Sequence, residues 1–274
     1  MFLLYNNQLL HEEELRLPIT NRAFQYNDGF FETMIVQDGK IRFWQDHLGR
    51  MAKATHALKL QLSSGLENFE ALEEQLLQLA TQNNCQNYGR LKLKVWRGGA
   101  GLFTPETNTT EWLATVQPAT APKHEPIHIG VAHSVHTSFS PFSHFKGPNS
   151  LLYVLAGTEK KETKYDDLLL LNDRKEASEL ISANLFWFKQ GILYTPALDT
   201  GCVNGIVRRN ILRWCKSEGI SVKETYAEPP EIINAEAVFA GNIAGLRQVS
   251  KLQDAEMTTD ATIVTTIREV LKLK

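Results

Sequence analysis

The sequence lacks any long apolar run, and that absence excludes a membrane-spanning helix. A bilayer requires about 20 consecutive apolar residues, and no apolar run among the 274 residues approaches this length. The first ten residues, MFLLYNNQLL, have no basic leader and are followed at once by HEEE, so they predict a first strand and turn instead of a signal peptide. We therefore expect a soluble cytoplasmic protein that does not bind membranes.

Cysteine is scarce, and its positions exclude two kinds of architecture. Cys85, Cys202 and Cys215 are odd in number and follow no metal-ligand spacing, which favours a reduced cytosolic protein over a disulfide framework. The eight histidines show no zinc-binding spacing, and no GxSxG, Walker or GxGxxG motif occurs. The sequence therefore predicts no metal site.

An excess of charge of one sign is also missing. The net charge is −2, so nothing in the global balance points to a nucleic-acid or membrane partner. The densest basic segment, RLKLKVWR at 90–97, alternates with period two, which is typical of a half-buried strand with a polar face.

Strand and helix patterns mix without a regular βαβ repeat, which predicts an α+β fold. The segment PATAPKHEP (118–126) has three prolines and no periodicity, so it is the expected linker between a smaller lobe (1–117) and a larger one (127–274). Helices are predicted over 47–58, 66–82, 149–162, 205–217 and from about Ala261. Strands are predicted as a hairpin over 30–44 about the turn QDGK, and then over 90–96, 111–117, 127–133, 166–172, 183–189, 191–195, 221–226 and 237–241.

A lysine, an acid and a glycine-led helix start occur in an order that suits pyridoxal phosphate. Lys146 lies in FKGPNSLLYVLAG, Glu179 follows the apolar strand DDLLLLN, and Gly205 opens a helix. Lysine forms an imine with the cofactor, a carboxylate keeps the ring nitrogen protonated, and backbone N–H groups at a helix start bind phosphate.

Each of these residues also has an ordinary interpretation when it is taken alone. Lys146 is then a solvated surface lysine, and Glu179 is a strand-edge carboxylate in water. Gly205 begins a helix capped by Asn204, and Arg50 is a helix-surface arginine. Only the combination favours a cofactor site.

Six segments together resemble the fold-type IV pyridoxal-phosphate enzymes, also called class IV aminotransferases. This family includes branched-chain aminotransferases, D-amino-acid aminotransferases and 4-amino-4-deoxychorismate lyases. The resemblance runs over nearly the whole chain and is carried by NRAFQYNDGFFETM (21–34), HLGRM (47–51), RLKLKVWRGG (90–99), FKGPNSLLYVLA (145–156), ELISANLFWFKQGILYTP (179–196) and NGIVRRNIL (204–212). It implies a two-lobed fold like that of D-amino-acid aminotransferase, a cofactor between the lobes, a Schiff-base lysine in the larger lobe and a homodimer.

The resemblance also implies a role for individual residues. Lys146 becomes the Schiff-base lysine and proton shuttle, and Glu179 meets the pyridine nitrogen. Further cofactor contacts are implied for Arg50, Asn184, Gly205, Ile206, Val207, Gly241 and Asn242. Candidate contacts to a small-molecule amino substrate are Phe31, Arg90, Lys94 and Arg97.

Departures from the family patterns bear on the reaction. Branched-chain aminotransferases carry a tyrosine and an arginine where this chain has Leu151 and Ile35. D-amino-acid aminotransferases carry a tyrosine at Phe31 and an Arg-x-His trap where this chain reads GGAGLFTP (98–105). Glu32, by contrast, is common in transaminases.

The stretch SANLFWFKQGILYTPALDTGCVNGIVRR is most similar to the aminodeoxychorismate lyases. We therefore predict a lyase of folate biosynthesis that releases pyruvate and 4-aminobenzoate. The alternative is a class IV aminotransferase that acts on branched-chain or D-amino acids. A third reading is a relative that binds the cofactor but has lost activity.

Overall fold

The computed structural model describes residues 1–121, 123–257 and 262–273. The chain divides into two compact units, one formed by Met1–Thr120 with Phe145–Pro148 and the other by Ala121–His144 with Asn149–Lys274. The division falls inside the predicted linker 118–126, of which Pro122 lies outside the described residues. The short segment that carries Lys146 packs with the first unit, which differs from its expected place in the larger lobe.

The first unit is built on an antiparallel sheet with strand order β2-β1-β6-β5-β3-β4. Its strands are β1 (Phe2–Tyr5), β2 (Gln8–His11), β3 (Gly29–Gln37), β4 (Lys40–Ile41), β5 (Tyr88–Arg97) and β6 (Thr110–Pro118). Because side chains alternate along a strand, β5 buries Leu91, Leu93 and Val95 in the core and turns Arg90, Lys92 and Lys94 to the other face.

The helices of this unit are α1 (Arg22–Tyr26), α2 (Trp44–Ala57), α3 (Ser64–Glu67) and α4 (Phe69–Gln82), with a 3-10 turn at Glu12–Glu14. Helices α2, α3 and α4 contribute buried side chains to the core of the unit. The second strand of the predicted 30–44 hairpin is wrong beyond Ile41. Phe43 is in the left-handed region (φ 55°) and serves as the N-cap of α2, so Trp44 starts a helix and contributes to the core.

The second unit is built on a mixed sheet whose path runs β12-β11-β10-β13-β14-β7-β8-β9, with β15 paired to β14. Its strands are β7 (Ile127–Val131), β8 (Asp167–Leu171), β9 (Ala177–Leu180), β10 (Asn184–Lys189), β11 (Ile192–Pro196), β12 (Ser221–Thr225), β13 (Ala237–Gly241), β14 (Leu246–Leu252) and β15 (Ala255–Glu256). Strand β9, the last strand of this order, also pairs with β10. The strands β10, β13, β14, β7, β8 and β9 therefore form a closed ring of paired strands.

The helices of this unit are α5 (Ser150–Lys161), α6 (Ile206–Ser217), α7 (Pro229–Ile233) and α8 (Thr262–Val270), with a 3-10 turn at Leu198–Thr200. The predicted start of the last helix, Ala261, lies outside the described residues. The sequence patterns did not predict β9, β14 or the short helices α1 and α7. The α+β prediction is confirmed.

Within the described ranges, no helix has both the length and the apolar character needed to cross a membrane. The same ranges contain no group of three or more His, Cys, Asp or Glu side chains arranged to hold a metal ion.

Candidate active site

Lys146 lies in a bend of the first unit whose backbone is tied to the start of β3. The carbonyl of Lys146 accepts a hydrogen bond from the Phe31 N–H at 2.8 Å. Asn27 Nδ2 donates to the Gly147 carbonyl at 2.9 Å. A Cβ on Gly147 would lie 2.4 Å from the Gly29 carbonyl oxygen, so only glycine permits this approach. The bend therefore presents a half-buried lysine from a defined backbone position.

Arg50 is held by a buried ion cluster between α2 and β3. Its Nε and Nη2 donate to the two carboxylate oxygens of Glu32 at 2.7 and 2.6 Å, and His47 Nδ1 lies 2.6 Å from Glu32 Oε2. Burial by itself raises the pKa of Glu32, but the charge of Arg50 and the hydrogen bonds from His47 and Arg50 lower it to about 2. Glu32 therefore stays ionised and fixes the guanidinium plane.

This arrangement changes the interpretation of Arg50. Arg50 is 3% exposed, so it is not the solvated helix-surface side chain of the alternative interpretation. Glu32 uses Nε and Nη2, whereas Nη1 donates to no residue in the described part of the chain. The guanidinium is buried and oriented, and its Nη1 is left to donate a hydrogen bond to an anionic oxygen.

Glu179 lies in β9 of the second unit and is 3% exposed, which rules out a strand-edge carboxylate in water. Its Oε1 accepts hydrogen bonds from the Tyr153 hydroxyl at 2.7 Å and from the Val203 N–H at 3.0 Å. Asn184 Nδ2 lies 3.4 Å from Oε2 and donates to the Val203 carbonyl at 2.8 Å. The carboxylate is therefore oriented by three neighbours.

Tyr153 was not predicted from the sequence. Burial, followed by the charge of Glu179 and the hydrogen bond to it, raises the pKa of Tyr153 well above the usual value. The phenol therefore keeps its proton and donates a hydrogen bond to Glu179. In the sequence, Tyr153 is distinguished only by its position on a predicted helix, seven residues after Lys146. That position indicates a face of the helix but does not identify Glu179 as the partner of the hydroxyl.

Strand register in the second unit brings three predicted cofactor residues side by side. Asn184 in β10 is the partner of Glu179 in β9 and of Gly241 in β13. Glu179 and Gly241 are far apart in the chain, yet only one strand, β10, lies between them in the sheet. The sheet therefore assembles this group.

The N-terminus of α6 is free of a side-chain cap. Gly205 is the N-cap residue, and no side chain caps the helix, so the expectation that Asn204 does so is wrong. A Cβ on Gly205 would lie 2.1 Å from Asn184 Oδ1. The N–H groups of Ile206 and Val207 belong to the first turn, where the helix supplies no acceptor. An uncapped helix start of this kind suits a dianionic phosphate.

A second turn follows β13. Asn242 forms reciprocal backbone hydrogen bonds with Gly245 at 3.0 and 3.1 Å, its Oδ1 accepts from the Ala244 N–H at 2.9 Å, and its Nδ2 donates to the Ser182 carbonyl. Asn242 therefore shapes the turn with its own polar groups. Gly241 is buried in the strand, where a Cβ would meet Leu246.

The candidate substrate residues separate onto two faces of the first-unit sheet. Phe31, Arg90 and Lys94 share the face opposite the core, since Phe31 is the register partner of Lys94 and Ile35 that of Arg90. Arg97 lies on the other face. It is bound to Asp28, to the Leu58 carbonyl and to the Asn108 side chain, so its guanidinium has a structural role.

Three comparisons with known proteins bear on these observations. The sequence model of the family "Amino-transferase class IV" matches residues 29–252, which is more than half of the chain. The chain is 25% identical over 254 residues to an aminodeoxychorismate lyase of Vibrio harveyi, covering 90% of this chain and 91% of the relative. It is 27% identical over 247 residues to a D-alanine aminotransferase of Bacillus licheniformis, covering 87% and 83%.

Solved structures share the fold. A putative 4-amino-4-deoxychorismate lyase of Legionella pneumophila has a TM-score of 0.86 at 24% identity, with 95% of this chain and 96% of that chain covered. A branched-chain aminotransferase of Thermobaculum terrenum in its PLP-form has a TM-score of 0.85 at 18% identity, with 99% and 92% covered. At these identities the likeness establishes the fold, and the family match covers most of the same residues. The protein is therefore an enzyme that belongs to the class IV aminotransferase family.

Proposed function

We propose that this enzyme is a pyridoxal 5′-phosphate-dependent 4-amino-4-deoxychorismate lyase that releases pyruvate and 4-aminobenzoate. The Vibrio harveyi lyase, matched over about nine-tenths of both chains, supports this choice. A D-alanine aminotransferase matches nearly as well, so the choice depends on this chain's own residues.

The residues present fit the cofactor. Lys146 would hold its aldehyde carbon, and Glu179 would hold its pyridine nitrogen. Arg50 Nη1 and the N–H groups of Ile206 and Val207 are the donors suited to its phosphate. When bound, pyridoxal phosphate withdraws electrons from the carbon beside the substrate amine, which makes a proton on that carbon acidic.

Lys146 Nζ then removes the proton from the amine-bearing ring carbon. The bond between the ring and the enolpyruvyl oxygen breaks, and a proton is delivered to the methylene carbon of the departing group. The products are 4-aminobenzoate and pyruvate, so the atoms balance without water or an oxidant. Glu179 keeps a fixed orientation, because Tyr153 and the Val203 N–H both donate to the same carboxylate oxygen.

One observation carries the preference for elimination over amino transfer. The loop 98–105, where D-amino-acid aminotransferases have an Arg-x-His trap, contains no charged side chain. Arg22 fixes this loop by donating to the carbonyls of Gly101 and Leu102 at 2.9 and 2.7 Å. The loop instead presents apolar side chains, with Phe103 92% exposed. Such a loop offers no charged side chain to bind the α-carboxylate of an amino acid.

The second candidate function is amino transfer, and the cluster around Glu32 favours it. Glu32 is common in transaminases of this family, and here it orients Arg50 with two short hydrogen bonds. Both reactions share every step up to proton removal by Lys146.

Product analysis distinguishes the two functions. The purified enzyme is supplied with aminodeoxychorismate, and separately with pairs of an amino acid and a keto acid. We expect stoichiometric pyruvate and 4-aminobenzoate from the first mixture. Brisk transfer from leucine, glutamate or D-alanine without release of 4-aminobenzoate would refute the lyase. A homodimer remains a prediction from the family resemblance, and a cytoplasmic location remains a prediction from the sequence composition.

A further inference from the structure

The chain around Lys146 is anchored to the first unit at three consecutive residues. Phe145 is 5% exposed and belongs to the core of that unit. The Lys146 carbonyl accepts a hydrogen bond from the Phe31 N–H, and the Gly147 carbonyl accepts one from Asn27 Nδ2. The first two anchors are provided by the core and by a strand backbone, whereas the third depends on a single polar side chain.

Asn27 ends α1 in the left-handed region of the backbone. It is the C-cap of that helix with φ 51° and ψ 35°, and its N–H donates to the Arg22 carbonyl. Asparagine enters this region more readily than most residues do, and glycine enters it without steric cost. The turn therefore requires a left-handed residue but not an amide side chain, so the contacts of the Asn27 amide need an explanation of their own.

The Asn27 amide bridges an ammonium group and a peptide carbonyl. Lys94 Nζ donates to Oδ1 at 3.2 Å, and Nδ2 donates to the Gly147 carbonyl at 2.9 Å. An ammonium group can only donate and a carbonyl oxygen can only accept, so one orientation of the amide alone makes both contacts hydrogen bonds. Lys94 therefore fixes which end of the amide faces Gly147.

Strand pairing connects this amide to the other backbone anchor of the bend. Lys94 in β5 is the register partner of Phe31 in β3. Phe31 holds the carbonyl of Lys146, while Lys94 holds the carbonyl of Gly147 through Asn27. The two successive peptide groups after the Lys146 α-carbon are therefore held from one cross-strand pair.

We propose that Asn27, oriented by Lys94, is a positioning residue for Lys146. Lys146 Nζ forms a C=N bond with the cofactor's aldehyde carbon, and the aldehyde oxygen leaves as water with both amine hydrogens. The bend must be ordered for this bond to form, and the hydrogen bonds of Asn27 order it in advance. Without them, the cost of ordering the bend is subtracted from the free energy of the new bond.

This inference rests on the proposed role of Lys146 in holding the cofactor, and it applies equally to elimination and to amino transfer. Both reactions begin from the same bond between Lys146 and the aldehyde carbon. A hydrogen bond between uncharged groups is worth about threefold to tenfold in an equilibrium constant. We therefore expect the loss of the Asn27 amide to weaken that bond by about this factor.

The test compares two ligands by titration of the cofactor-free protein. Pyridoxal 5′-phosphate carries the aldehyde, whereas pyridoxine 5′-phosphate has an alcohol in its place and cannot bond to Lys146. The ratio of their Kd values is the advantage that the aldehyde confers. Asn27→Gly should lower this advantage about threefold to tenfold and leave the Kd of the alcohol unchanged. Asn27→Asp should do the same, because its carboxylate accepts from Lys94 but cannot donate to Gly147.

Hydrogen exchange of the cofactor-free protein measures the bend directly. The Phe31 N–H is protected by its bond to the Lys146 carbonyl, so its exchange reports how often the bend opens. In Asn27→Gly and Asn27→Asp this amide should exchange about threefold to tenfold faster than in wild type. Thermal unfolding verifies that each variant is folded.

Asn84→Gly is the matched control, because Asn84 is an exposed asparagine of the same unit with φ 55°. It should change neither the advantage of the aldehyde nor the exchange of Phe31, and Lys146→Ala should abolish that advantage. A wild-type advantage in both Asn27 variants would overturn the positioning role. The absence of any advantage in the wild-type protein would refute the cofactor role of Lys146 itself, and the positioning role with it.

Discussion

Two buried glutamates illustrate how residue identity alone leaves a role undetermined. Glu32 and Glu179 are 1% and 3% exposed, and both carboxylates accept hydrogen bonds from neighbouring residues. Glu32 is bound by two cationic or potentially cationic side chains, whereas Glu179 is bound by a phenol, a peptide N–H and an amide. The first is neutralised inside the protein. Under the proposed function, the second meets the protonated pyridine nitrogen of the cofactor.

Tyr153→Phe tests whether the phenol positions Glu179. Loss of a hydrogen bond to a charged group costs about 1.5–3 kcal/mol, so we expect kcat to fall about tenfold or more and affinity for pyridoxal phosphate to weaken. Both are measured by steady-state kinetics and by titration of the cofactor-free protein. Tyr165→Phe is the control, since the Tyr165 ring packs against His128 and its hydroxyl hydrogen-bonds no described residue. Equal effects of the two changes would contradict the positioning role.

Glu32→Gln tests the buried ion cluster through its pH dependence. A carboxylate whose folded pKa is lowered from 4.5 to about 2 stabilises the fold above pH 4.5, and this stabilisation is lost as the pH falls towards 2. The shift corresponds to about 3 kcal/mol. We expect urea unfolding of the cofactor-free proteins to differ by about this amount at pH 7, with the difference shrinking between pH 4.5 and 2. A difference that is constant with pH would exclude the ionised cluster.

At the scale of elements, the residues proposed to bind the cofactor lie where helices and strands begin and end. The start of α6 lacks a side-chain cap, and the turn after β13 is shaped by Asn242. Helix α6 was predicted from its apolar period and its glycine, so its position was available from sequence. Strand β9 was not predicted, because four residues flanked by turns carry too little periodicity to distinguish from a loop.

A pair of glycine substitutions tests the close approach at the start of α6. Gly205→Ala places a methyl group 2.1 Å from Asn184 Oδ1, and Asn184 is anchored to Val203. We expect a loss of about 1–3 kcal/mol in unfolding free energy and weaker binding of pyridoxal phosphate. Gly157→Ala, in α5 with no atom within 4 Å of the new Cβ, should instead stabilise the protein by about 0.5–1 kcal/mol. Urea titrations measure both, and a stabilising Gly205→Ala would show that the site has room to adjust.

At the scale of the whole molecule, family membership accounts for the order of the segments along the chain. The six segments that resemble class IV enzymes all lie in or overlap the range matched by the family sequence model. Most helices and strands were predictable, because their segments are long enough to distinguish the helical period of 3.6 residues from the strand period of two residues. Boundaries were less so, as at Phe43, where one left-handed residue converts an expected strand into the start of α2.

The sequence by itself determined the fold class and the family, and it predicted candidates for the residues that carry the chemistry, since these follow from local periodicity and from motifs of adjacent residues. Only the tertiary structure decided which side chains act together. Register placed Asn184 between Glu179 and Gly241, packing joined Arg50 to Glu32, and strand alternation separated Lys94 from Arg97. Such contacts join residues far apart in the chain, and no local pattern records them, because the free energy that selects them comes from burial and pairing across the whole sheet.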